Sequence, residues 1–348
     1  MPVAATDTEA VFSFPDRRRT LERVELAHEL RQPRRVPFER RGRRWELRLE
    51  RPDADRMEYL LELERRGGAV EVVPDPTNPL HTPGPFGLKS VLEFPGYEPP
   101  NWLDDDESAA GEVCALELKS SRLRATLAGL LWSPSDTDPL EPLPLLLVHD
   151  GPEYAEFSVL LRLLAHLVDF GEVPPLRAAL LPPPLDRNET YSASARYGNA
   201  AAAELLPLVL ERAPSDRAPV LLGASLGALA ALHAHWLNPG LAAGLFLQSG
   251  SFFRQRYDKQ ESGFRRFRRV ARFIGQVHRS RGYPVRIPTV LTCGTVEENL
   301  DNNRALARAL TEHRWDVRLV EHRDAHNWTG WRDALHPHLA ELMLKAWS

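Results

Sequence analysis

Hydrophobic and polar residues alternate through much of the first third of the chain. Trp45, Leu47 and Leu49 are separated by polar residues, a spacing that predicts a strand with one buried face. The stretch MEYLLELERRGGAVEVVPD predicts two strands joined at Gly67-Gly68. The stretch DPTNPLHTPGPFG consists almost entirely of residues that favour turns. These patterns predict a small β-sandwich.

A helical spacing interrupts this region near its start. In DRRRTLERVELAHELRQ, the residues Leu21, Val24, Leu26 and Leu30 fall roughly on one helical face, so a short helix is predicted there. At the other end, YEPPNWLDDDESAAGE is rich in proline and then acidic, as linkers often are. We therefore predict an N-terminal β-sandwich domain over residues 1–105.

Beyond this linker, short continuous apolar runs alternate with helical patterns. VCALELKSSRLRATLAGLLWSP predicts a hairpin at the edge of a sheet. LPLLLVHDG is typical of a parallel strand buried on both faces. Further strands are predicted at LRAALLPPP, APVLLGASLG, LAAGLFLQSGSF, IPTVLTCGT and WDVRLVEHRDAHN. Because helical patterns separate most of these runs, residues 106–348 are predicted to form an α/β domain with a doubly wound, mostly parallel sheet.

Composition limits the classes of function. Of the 348 residues 43% are hydrophobic and the formal net charge is −4, so we expect no nucleic-acid partner. Cys114 and Cys293 lie far apart, which argues against a disulfide scaffold. No apolar stretch has the length of a signal sequence or membrane span, and we expect a cytoplasmic protein without membrane contact. Residues two apart on a helix point to different faces, so we expect no metal at the two His-x-His pairs: His233/His235 and His336/His338. We expect no cofactor anywhere in the chain.

A serine between two glycines marks the junction of a predicted strand and helix. The stretch LLGASLGALAALHAHW places Ser225 between Gly223 and Gly227, as expected of a turn too tight for larger neighbours. Such a turn would expose the serine hydroxyl beside the positive end of the helix dipole. Ser225 is therefore our candidate nucleophile; the alternative is a serine that only caps the helix.

A serine nucleophile needs a base, since its hydroxyl is weakly nucleophilic when protonated. In folds with this turn, the chain order is serine, then acid, then histidine in the loop after the last strand. His326, in RDAHNWTGW, occupies that loop. His322 would be held within the strand, while His336 and His338 would lie in the terminal helix.

The acid is expected just after the strand TVLTCGT, where VEENLD offers three carboxylates. A carboxylate there would fix the tautomer of His326 and stabilise its charged form. Glu297 is closest to the strand end and is our first choice. Glu298, Asp301 and Asp324 remain open, because acids also suit an ordinary helix start.

Two backbone N–H groups should stabilise the oxyanion that forms on attack. One is expected from Leu226, the residue after the nucleophile. The other is expected from the turn after LLLVHDG, where Pro152 has no N–H and Gly151 is the first choice. Glu153 and Tyr154 are the alternatives.

A strongly basic segment follows the strand LFLQSGS. In GFRRFRRVARFIGQVHRSRG, apolar residues share one helical face: Phe264, Phe267, Val270, Ile274 and Val277. Arginines crowd the other faces: Arg265, Arg266, Arg268, Arg269 and Arg272. This pattern predicts either a docked amphipathic helix with a solvated basic face or a lid that attracts an anionic substrate.

Taken together, these motifs resemble the enterochelin (enterobactin) esterase group within the esterase D family of α/β-hydrolases. The resemblance rests on LLLVHDGPEY, LDRNETY, AAELLPLVLE, LLGASLGALAALHAHWLNPGLAAGLFLQSGSF, GTVEENLDNNRALARAL and DAHNWTGWRDAL, in the order of the family. It implies an α/β-hydrolase fold over residues 106–348. DPTNPLHTPGPFGLKSVLEFPGYEPP is similar to the immunoglobulin-like (E-set) domain that precedes this fold in enterochelin esterases.

The resemblance also bears on the site. It implies Ser225, His326 and a carboxylate in the VEEN loop as the catalytic residues, with Arg187 of DRNETY as a pocket arginine. Tyr154 and Trp328, each within a matching motif, are our further candidates for substrate contact. The position of the acid varies in the family, so it does not decide between Glu297 and Glu298.

We therefore expect a serine ester hydrolase that forms an acyl-enzyme on Ser225. The substrate would be a small ester, such as a siderophore lactone or an aryl ester, with anionic or aromatic character. Two other functions stay open: an acyltransferase with the same site, and a non-catalytic protein with a carbohydrate-binding N-terminal module. A chain that begins near Gly111 is expected to keep the nucleophile reactive but to lose selectivity for bulky substrates.

Overall fold

The computed structural model describes residues 3–30, 33–105, 108, 110–280, 283 and 285–348. Contacts divide the chain into two compact units. The first contains the described residues up to Pro99 together with Gly294–Glu298 and Glu321–Gly330. The second contains Pro100–Cys293, Asn299–Val320 and Trp331–Ser348. The boundary at 105/106 stays a prediction, and the contacts add two short C-terminal segments to the N-terminal unit.

The N-terminal part of the first unit consists of strands in two sheets. One sheet has four strands in the order β1-β2-β6-β5, and the other has the order β4-β3-β7-β10-β9 with β8 paired to β7. The strands are β1 Ala4–Ala5, β2 Glu9–Pro15, β3 Leu21–His28, β4 Arg35–Pro37, β5 Glu39–Arg41, β6 Arg44–Glu50, β7 Arg56–Arg65, β8 Val70–Val73, β9 His81–Thr82 and β10 Lys89–Glu93.

Side chains from both sheets form one apolar core. Trp45 and Leu47 of β6 are buried, as the alternating pattern predicted, and Leu49 is half-buried. Phe12 of the first sheet meets Tyr59 of the second edge-to-face at 5.2 Å between ring centroids. Such an aromatic pair adds about 1 kcal/mol to the stabilisation from burial. The predicted hairpin at Gly67-Gly68 is also present, as β7 pairs with β8 in antiparallel fashion.

The helix predicted around Leu21–Leu30 is wrong, because Leu21–His28 forms β3. A register shift between Leu21 and Arg23 marks a bulge opposite β7. A bulge inserts one extra residue into a strand. Leu21, Val24 and Leu26 are therefore all buried despite a spacing that imitates a helix.

The second unit is built on an eight-stranded sheet with the order β11-β12-β14-β13-β15-β16-β17-β18. Its strands are β11 Glu112–Ser120, β12 Ala125–Ser133, β13 Leu145–His149, β14 Arg177–Leu181, β15 Val220–Ala224, β16 Gly244–Gln248, β17 Thr289–Gly294 and β18 Val317–His322. The predicted edge hairpin is β11–β12, and β12 is also antiparallel to β14. The pairs β13–β14, β13–β15, β15–β16 and β16–β17 are parallel.

Helices connect most of these strands. They are α1 Gly151–Phe157, α2 Leu160–Asp169, α3 Arg187–Thr190, α4 Ala195–Ala200, α5 Leu206–Leu210, α6 Leu226–Leu237, α7 Phe267–Arg279, α8 Leu300–Glu312, α9 Trp328–Asp333 and α10 His338–Trp347. A π-helical turn, Ala201–Leu205, joins α4 to α5. Within the part of the chain that the structure describes, no helix has the length and apolar character needed to cross a bilayer.

Candidate active site

Ser225 stands at the carboxyl end of β15, where the chain turns sharply into α6. Its backbone has φ 55° and ψ −120°, a strained conformation for a residue with a side chain. A Cβ on Gly223 would lie 2.6 Å from the carbonyl carbon of Gly227, and a Cβ on Gly227 would lie 3.0 Å from Asp150 Oδ2. Close backbone approach therefore requires glycine at 223, and a Cβ at 227 would be in tight contact with the Asp150 side chain.

The surroundings of Ser225 do not support a capping role. Its side chain makes no hydrogen bond to the N-terminus of α6. Its backbone N–H donates to Gln248 O at 2.8 Å, and its carbonyl accepts from the N–H of Ser251 at 3.1 Å. The two serine Oγ atoms lie 3.2 Å apart. The turn is thus tied to the end of β16 through its backbone.

The expected oxyanion donors begin two neighbouring helices. Gly151 and Leu226 are the first residues of α1 and α6, so their N–H groups have no acceptor within the helix. Because β13 and β15 are adjacent and parallel, these helices start at the same edge of the sheet. The alternative donor Tyr154 is less suitable, since its N–H already donates to Asp150 O at 3.0 Å.

Gly151 also has a packing role. A Cβ at this position would overlap the backbone of Leu180 in β14. The preceding residue, Asp150, has φ 55° in the left-handed region. Glycine at 151 thus lets the turn after β13 pass close over the neighbouring strand.

An acid–base pair lies in the first unit. His326 Nδ1 is 2.8 Å from Glu297 Oε2, and Glu297 Oε1 accepts the N–H of Gly294 at 2.8 Å. Glu297 is completely buried, while the His326 side chain is 32% exposed. When Nδ1–H donates to Glu297, the tautomer leaves Nε2 as the basic nitrogen. This geometry is that of a histidine oriented by a carboxylate.

The other acidic candidates are engaged elsewhere. Glu298 forms an ion pair with Arg34, whose Nε lies 3.1 Å from Glu298 Oε1. Asp301 Oδ1 lies 3.9 Å from Nη1 of Arg304 on α8. Asp324 is buried and accepts from the side chain of a neighbouring residue, Asn327, at 2.9 Å. Among the carboxylates weighed from the sequence, Glu297 is the one paired with His326.

The other histidine candidates also have different settings. His322 belongs to β18. His336 precedes α10, with its Nε2 2.9 Å from Glu172 Oε2. His338 begins α10 and its Nδ1 accepts from Arg318 at 2.9 Å.

Arg187 holds the turn that carries Gly151. Its guanidinium donates to both carboxylate oxygens of Asp150, at 2.8 and 2.7 Å. Burial alone would lower the pKa of Arg187, but the Asp150 carboxylate raises it above its usual value. The positive charge of Arg187, which was expected to face a substrate pocket, is therefore already paired with the carboxylate of Asp150. This arrangement gives Arg187 a structural contact with the predicted oxyanion turn.

His149, just before this turn, is buried and uncharged. Burial lowers its pKa to about 4, and its Nδ1 lies 3.3 Å from Leu222 O of β15. Its ring packs edge-to-face against Tyr191 and Tyr197.

The two aromatic candidates for substrate contact differ in exposure. Tyr154 is fully buried, and its hydroxyl donates to Gln248 Oε1 at 2.8 Å. Its side chain therefore supports the end of β16, and its burial argues against direct contact with a ligand. Trp328, the first residue of α9, is partly exposed, and its contact with substrate stays a prediction.

The basic segment contains a docked amphipathic helix. The apolar face of α7 is buried, including Phe267, Val270 and Ile274. Two of its arginines bind α3, since Arg266 and Arg269 form ion pairs with Glu189. Other arginines are exposed to solvent: Arg265, Arg268 and Arg272. Whether these attract a substrate stays a prediction.

Two polar residues at and just after the end of β16 were not predicted from the sequence. Gln248 accepts the Ser225 N–H with its backbone, and its side chain donates to Thr292 Oγ1 at 3.2 Å and Trp331 O at 2.9 Å. Ser251 is the neighbour of the nucleophile candidate. The signal was present in LFLQSGS, where polar residues end an otherwise apolar strand at the same edge as Ser225. Among the described residues, no three His, Cys, Asp or Glu side chains are grouped as metal ligands.

The fold and the serine turn define the class of protein. A serine on a strained strand-to-helix turn in such a sheet is characteristic of α/β-hydrolases, and the second unit has an α/β-hydrolase-like fold. The model of a family described as "Putative esterase" matches residues 120–342, and the chain belongs to this family. The protein is accordingly a carboxylic ester hydrolase.

Solved structures agree with this fold. Enterochelin esterase from Shigella flexneri is 21% identical with a TM-score of 0.78, covering 100% of this chain and 96% of that one. Ferric enterobactin esterase from Salmonella typhimurium is 21% identical with a TM-score of 0.76, covering 97% and 93%. A ferulic acid esterase is 17% identical with a TM-score of 0.56, covering 68% of this chain and 98% of its own. No curated protein sequence is significantly similar to the chain.

Proposed function

We propose that the protein hydrolyses carboxylic esters with Ser225 as nucleophile, His326 as general base and Glu297 as the acid that orients the base. The observation that carries this proposal is the 2.8 Å contact between His326 and the buried Glu297, in a chain whose Ser225 occupies a strained strand-to-helix turn. A buried carboxylate that fixes a histidine tautomer is the arrangement that activates a serine hydroxyl.

The reaction would proceed through an acyl-enzyme. Ser225 Oγ attacks the ester carbonyl carbon while its proton passes to His326 Nε2. The tetrahedral intermediate then loses the alcohol, which takes that proton, and the acyl group stays on Ser225. Water then attacks the acyl carbon and gives a proton to the same nitrogen. The bond from that carbon to Ser225 Oγ breaks, Oγ takes the proton back from His326 Nε2, and the carboxylic acid leaves. The N–H groups of Leu226 and Gly151 would stabilise the negative oxygen in both steps.

For the substrate we propose an aryl ester or a catecholate lactone. The support is likeness of the entire chain, with its N-terminal unit, to structures described as enterobactin or enterochelin esterases. Exposed arginines on the basic segment would suit an anionic aromatic substrate, since guanidinium stays charged and stacks on rings.

The mechanism is tested with Ser225→Ala, His326→Ala and the control Ser251→Ala. Ser225→Ala and His326→Ala should each lower kcat for a p-nitrophenyl ester by several powers of ten, because residues of such a site act as a unit. Ser251→Ala removes a neighbouring hydroxyl 3.2 Å away and should change kcat less than about tenfold. If Ser225→Ala keeps more than about a tenth of the activity, another residue is the nucleophile.

The substrate class is tested by comparing short p-nitrophenyl esters, aryl esters and a catecholate trilactone. Highest kcat/KM on the trilactone or aryl esters supports the proposal, and equal values on all short esters contradict it. Addition of glycerol would reveal transfer products if the protein were an acyltransferase. Failure of a fluorophosphonate probe to label Ser225 would favour a binding protein.

A further inference from the structure

A short N-terminal segment, residues 51–58, binds both loops that carry the acid–base pair. The loop with Glu297 is bound through Thr295, whose hydroxyl donates to Asp53 O at 2.6 Å. The loop with His326 is bound through Arg323, whose carbonyl accepts the N–H of Asp55 at 2.8 Å. The Arg323 side chain also pairs with the carboxylate of Asp55 at 2.8 Å. We call residues 51–58 the clasp.

The clasp contains one buried cation, Arg56, at the start of β7. Its side chain is 4% exposed and its Nη1 lies 3.1 Å from Glu58 Oε1. The same nitrogen donates to Asn327 Oδ1 at 3.4 Å and lies 4.0 Å from Asp324 Oδ2. A buried guanidinium is costly unless it is paired, so these partners hold Arg56 in a defined place.

Asp324 and Asn327 flank His326 in the sequence, and their side chains are hydrogen-bonded to each other. Asp324 Oδ1 accepts from Asn327 Nδ2 at 2.9 Å and from the N–H of Ala325 at 2.6 Å. Asn327 Oδ1 accepts the N–H of Gly330 at 2.7 Å and so caps α9. The backbone on both sides of His326 is therefore fixed by a closed set of hydrogen bonds.

Packing adds a second constraint on this loop. Ala325, directly before His326, is buried in the apolar core of the first unit together with Val296 of the acid loop. A Cβ on Gly330 would lie 3.0 Å from Asp324 Cγ, so the loop closes tightly on the carboxylate. The hydrogen bonds around His326 thus have little room to rearrange.

From these contacts we infer that Arg56 is a positioning residue, which orients His326 through Asp324 and Asn327 so that its Nδ1 faces Glu297. The inference rests on the proposed function, because His326 must be the base for its orientation to matter. Through Arg56, the first unit would then be part of the catalytic apparatus. A displacement of about 1 Å in such a group can lower the rate about 100-fold.

The test compares Arg56→Met, Arg56→Lys and Arg40→Met. Methionine removes the charge and the donors but keeps an unbranched apolar side chain, while lysine keeps a positive charge and a donor on a side chain one bond shorter than that of arginine. Arg40 is the control. It is also ion-paired in the first unit, to Asp16 at 3.4 Å, but none of its described partners belongs to the two loops. Each variant is assayed for kcat, KM, melting temperature and the low-field proton NMR signal of His326 Nδ1, assigned by its loss in His326→Ala.

Arg56→Met should lower kcat at least about tenfold with KM within about twofold, and should shift or broaden the Nδ1 signal. Arg56→Lys should recover most of kcat and the signal, and Arg40→Met should keep both. If Arg56→Met keeps kcat and the signal, or if Arg40→Met loses them equally, the inference is wrong. If His326→Ala itself retains activity, the proposed function fails instead.

If Arg56→Met does not fold, a second variant, Asn327→Ser, tests the same inference. Asn327→Ser keeps a good helix cap for α9 but removes the contacts with Arg56 and Asp324. It should lower kcat by a similar factor, while the loss of buried hydrogen bonds should lower the melting temperature by only about 1–4 °C in a chain of this length. Wild-type kcat in a folded Asn327→Ser variant would overturn the inference.

Discussion

Replacing Asp324 with asparagine should stabilise the protein above pH 7 and have a smaller effect on its stability in mild acid. Asp324 is 5% exposed. Burial raises its pKa from 3.8 to about 7, although Arg56 and hydrogen bonds from Ala325 and Asn327 act to lower it. The charged form is therefore unfavourable in the folded protein. Asparagine has nearly the same shape and remains neutral at every pH.

The sign and size follow from the difference between the folded and unfolded pKa. Between about pH 4 and pH 7 the folded chain binds a proton at Asp324 that the unfolded chain has lost, so the free energy of unfolding falls as the pH rises. A shift of about 3 pKa units, at about 1.36 kcal/mol each, amounts to about 4 kcal/mol above pH 7. From pH 5 to pH 8 the asparagine variant should gain about 3 kcal/mol over the parent.

The assay is thermal unfolding of both proteins at pH 5 and pH 8. With an unfolding entropy of about 2.1 cal/mol/K per residue, 3 kcal/mol corresponds to about 4 °C for a chain of this length. The control is Asp16→Asn, another buried aspartate of the first unit. Burial alone would raise the pKa of Asp16, but hydrogen bonds from Thr20, Leu21 and Trp45 hold it below its usual value. Its replacement should destabilise the protein about equally at both pH values.

The prediction would be wrong if Asp324→Asn changed the melting temperature equally at pH 5 and pH 8. It would also be refuted if the variant were less stable than the parent at pH 8. Either result would mean that the ion pair with Arg56 outweighs the cost of burial.

Three further predictions concern the acid, the N-terminal unit and the basic segment. Glu297→Gln should lower kcat about 100-fold or more, while Glu298→Gln should stay within about twofold, and the reverse order of effects would make Glu298 the acid. A chain that begins near Gly111 should lose both ester turnover and labelling by the fluorophosphonate probe, since it lacks the clasp. Labelling at the rate of the full-length protein would instead support the expectation from sequence that the nucleophile stays reactive without the N-terminal region. For an anionic aryl ester, kcat/KM should fall with added salt more than for a neutral one, because salt screens exposed charges. Glutamine at the exposed arginines should remove that difference, and an unchanged salt response would exclude steering by Arg265, Arg268 and Arg272.

The strands were predictable from sequence where burial follows a simple period. The alternation at Trp45 and Leu47 indicated β6 correctly, and the continuous apolar runs indicated the buried strands of the eight-stranded sheet. The helix prediction failed at β3 because a bulge after Leu21 changes the period by one residue. A bulge depends on pairing with a distant strand, which one-dimensional periodicity does not contain.

The site was predictable where one residue determines the local conformation. The two glycines around Ser225 indicated the turn because a Cβ would overlap the backbone at 223 and be in tight contact with Asp150 at 227. The sequence favoured Glu297 over Glu298 only by its position nearest the strand end and left Glu298 open, since adjacent acids are chemically alike. The structure separates them through contacts distant in the chain, the N–H of Gly294 for Glu297 and Arg34 for Glu298.

The discontinuous first unit has a consequence for exchange of parts between related esterases. A graft of residues 1–99 alone would bring a foreign clasp to resident loops at 294–298 and 321–330, and side-chain contacts such as that of Arg56 with Asn327 would be kept only where both partners match. The smallest interchangeable cassette therefore consists of three separate pieces of chain: residues 1–99 and the two short segments 294–298 and 321–330. Recombination by a single crossover near residue 100 should yield folded but poorly active chimaeras, and correlated change across all three pieces is expected wherever lineages have diverged.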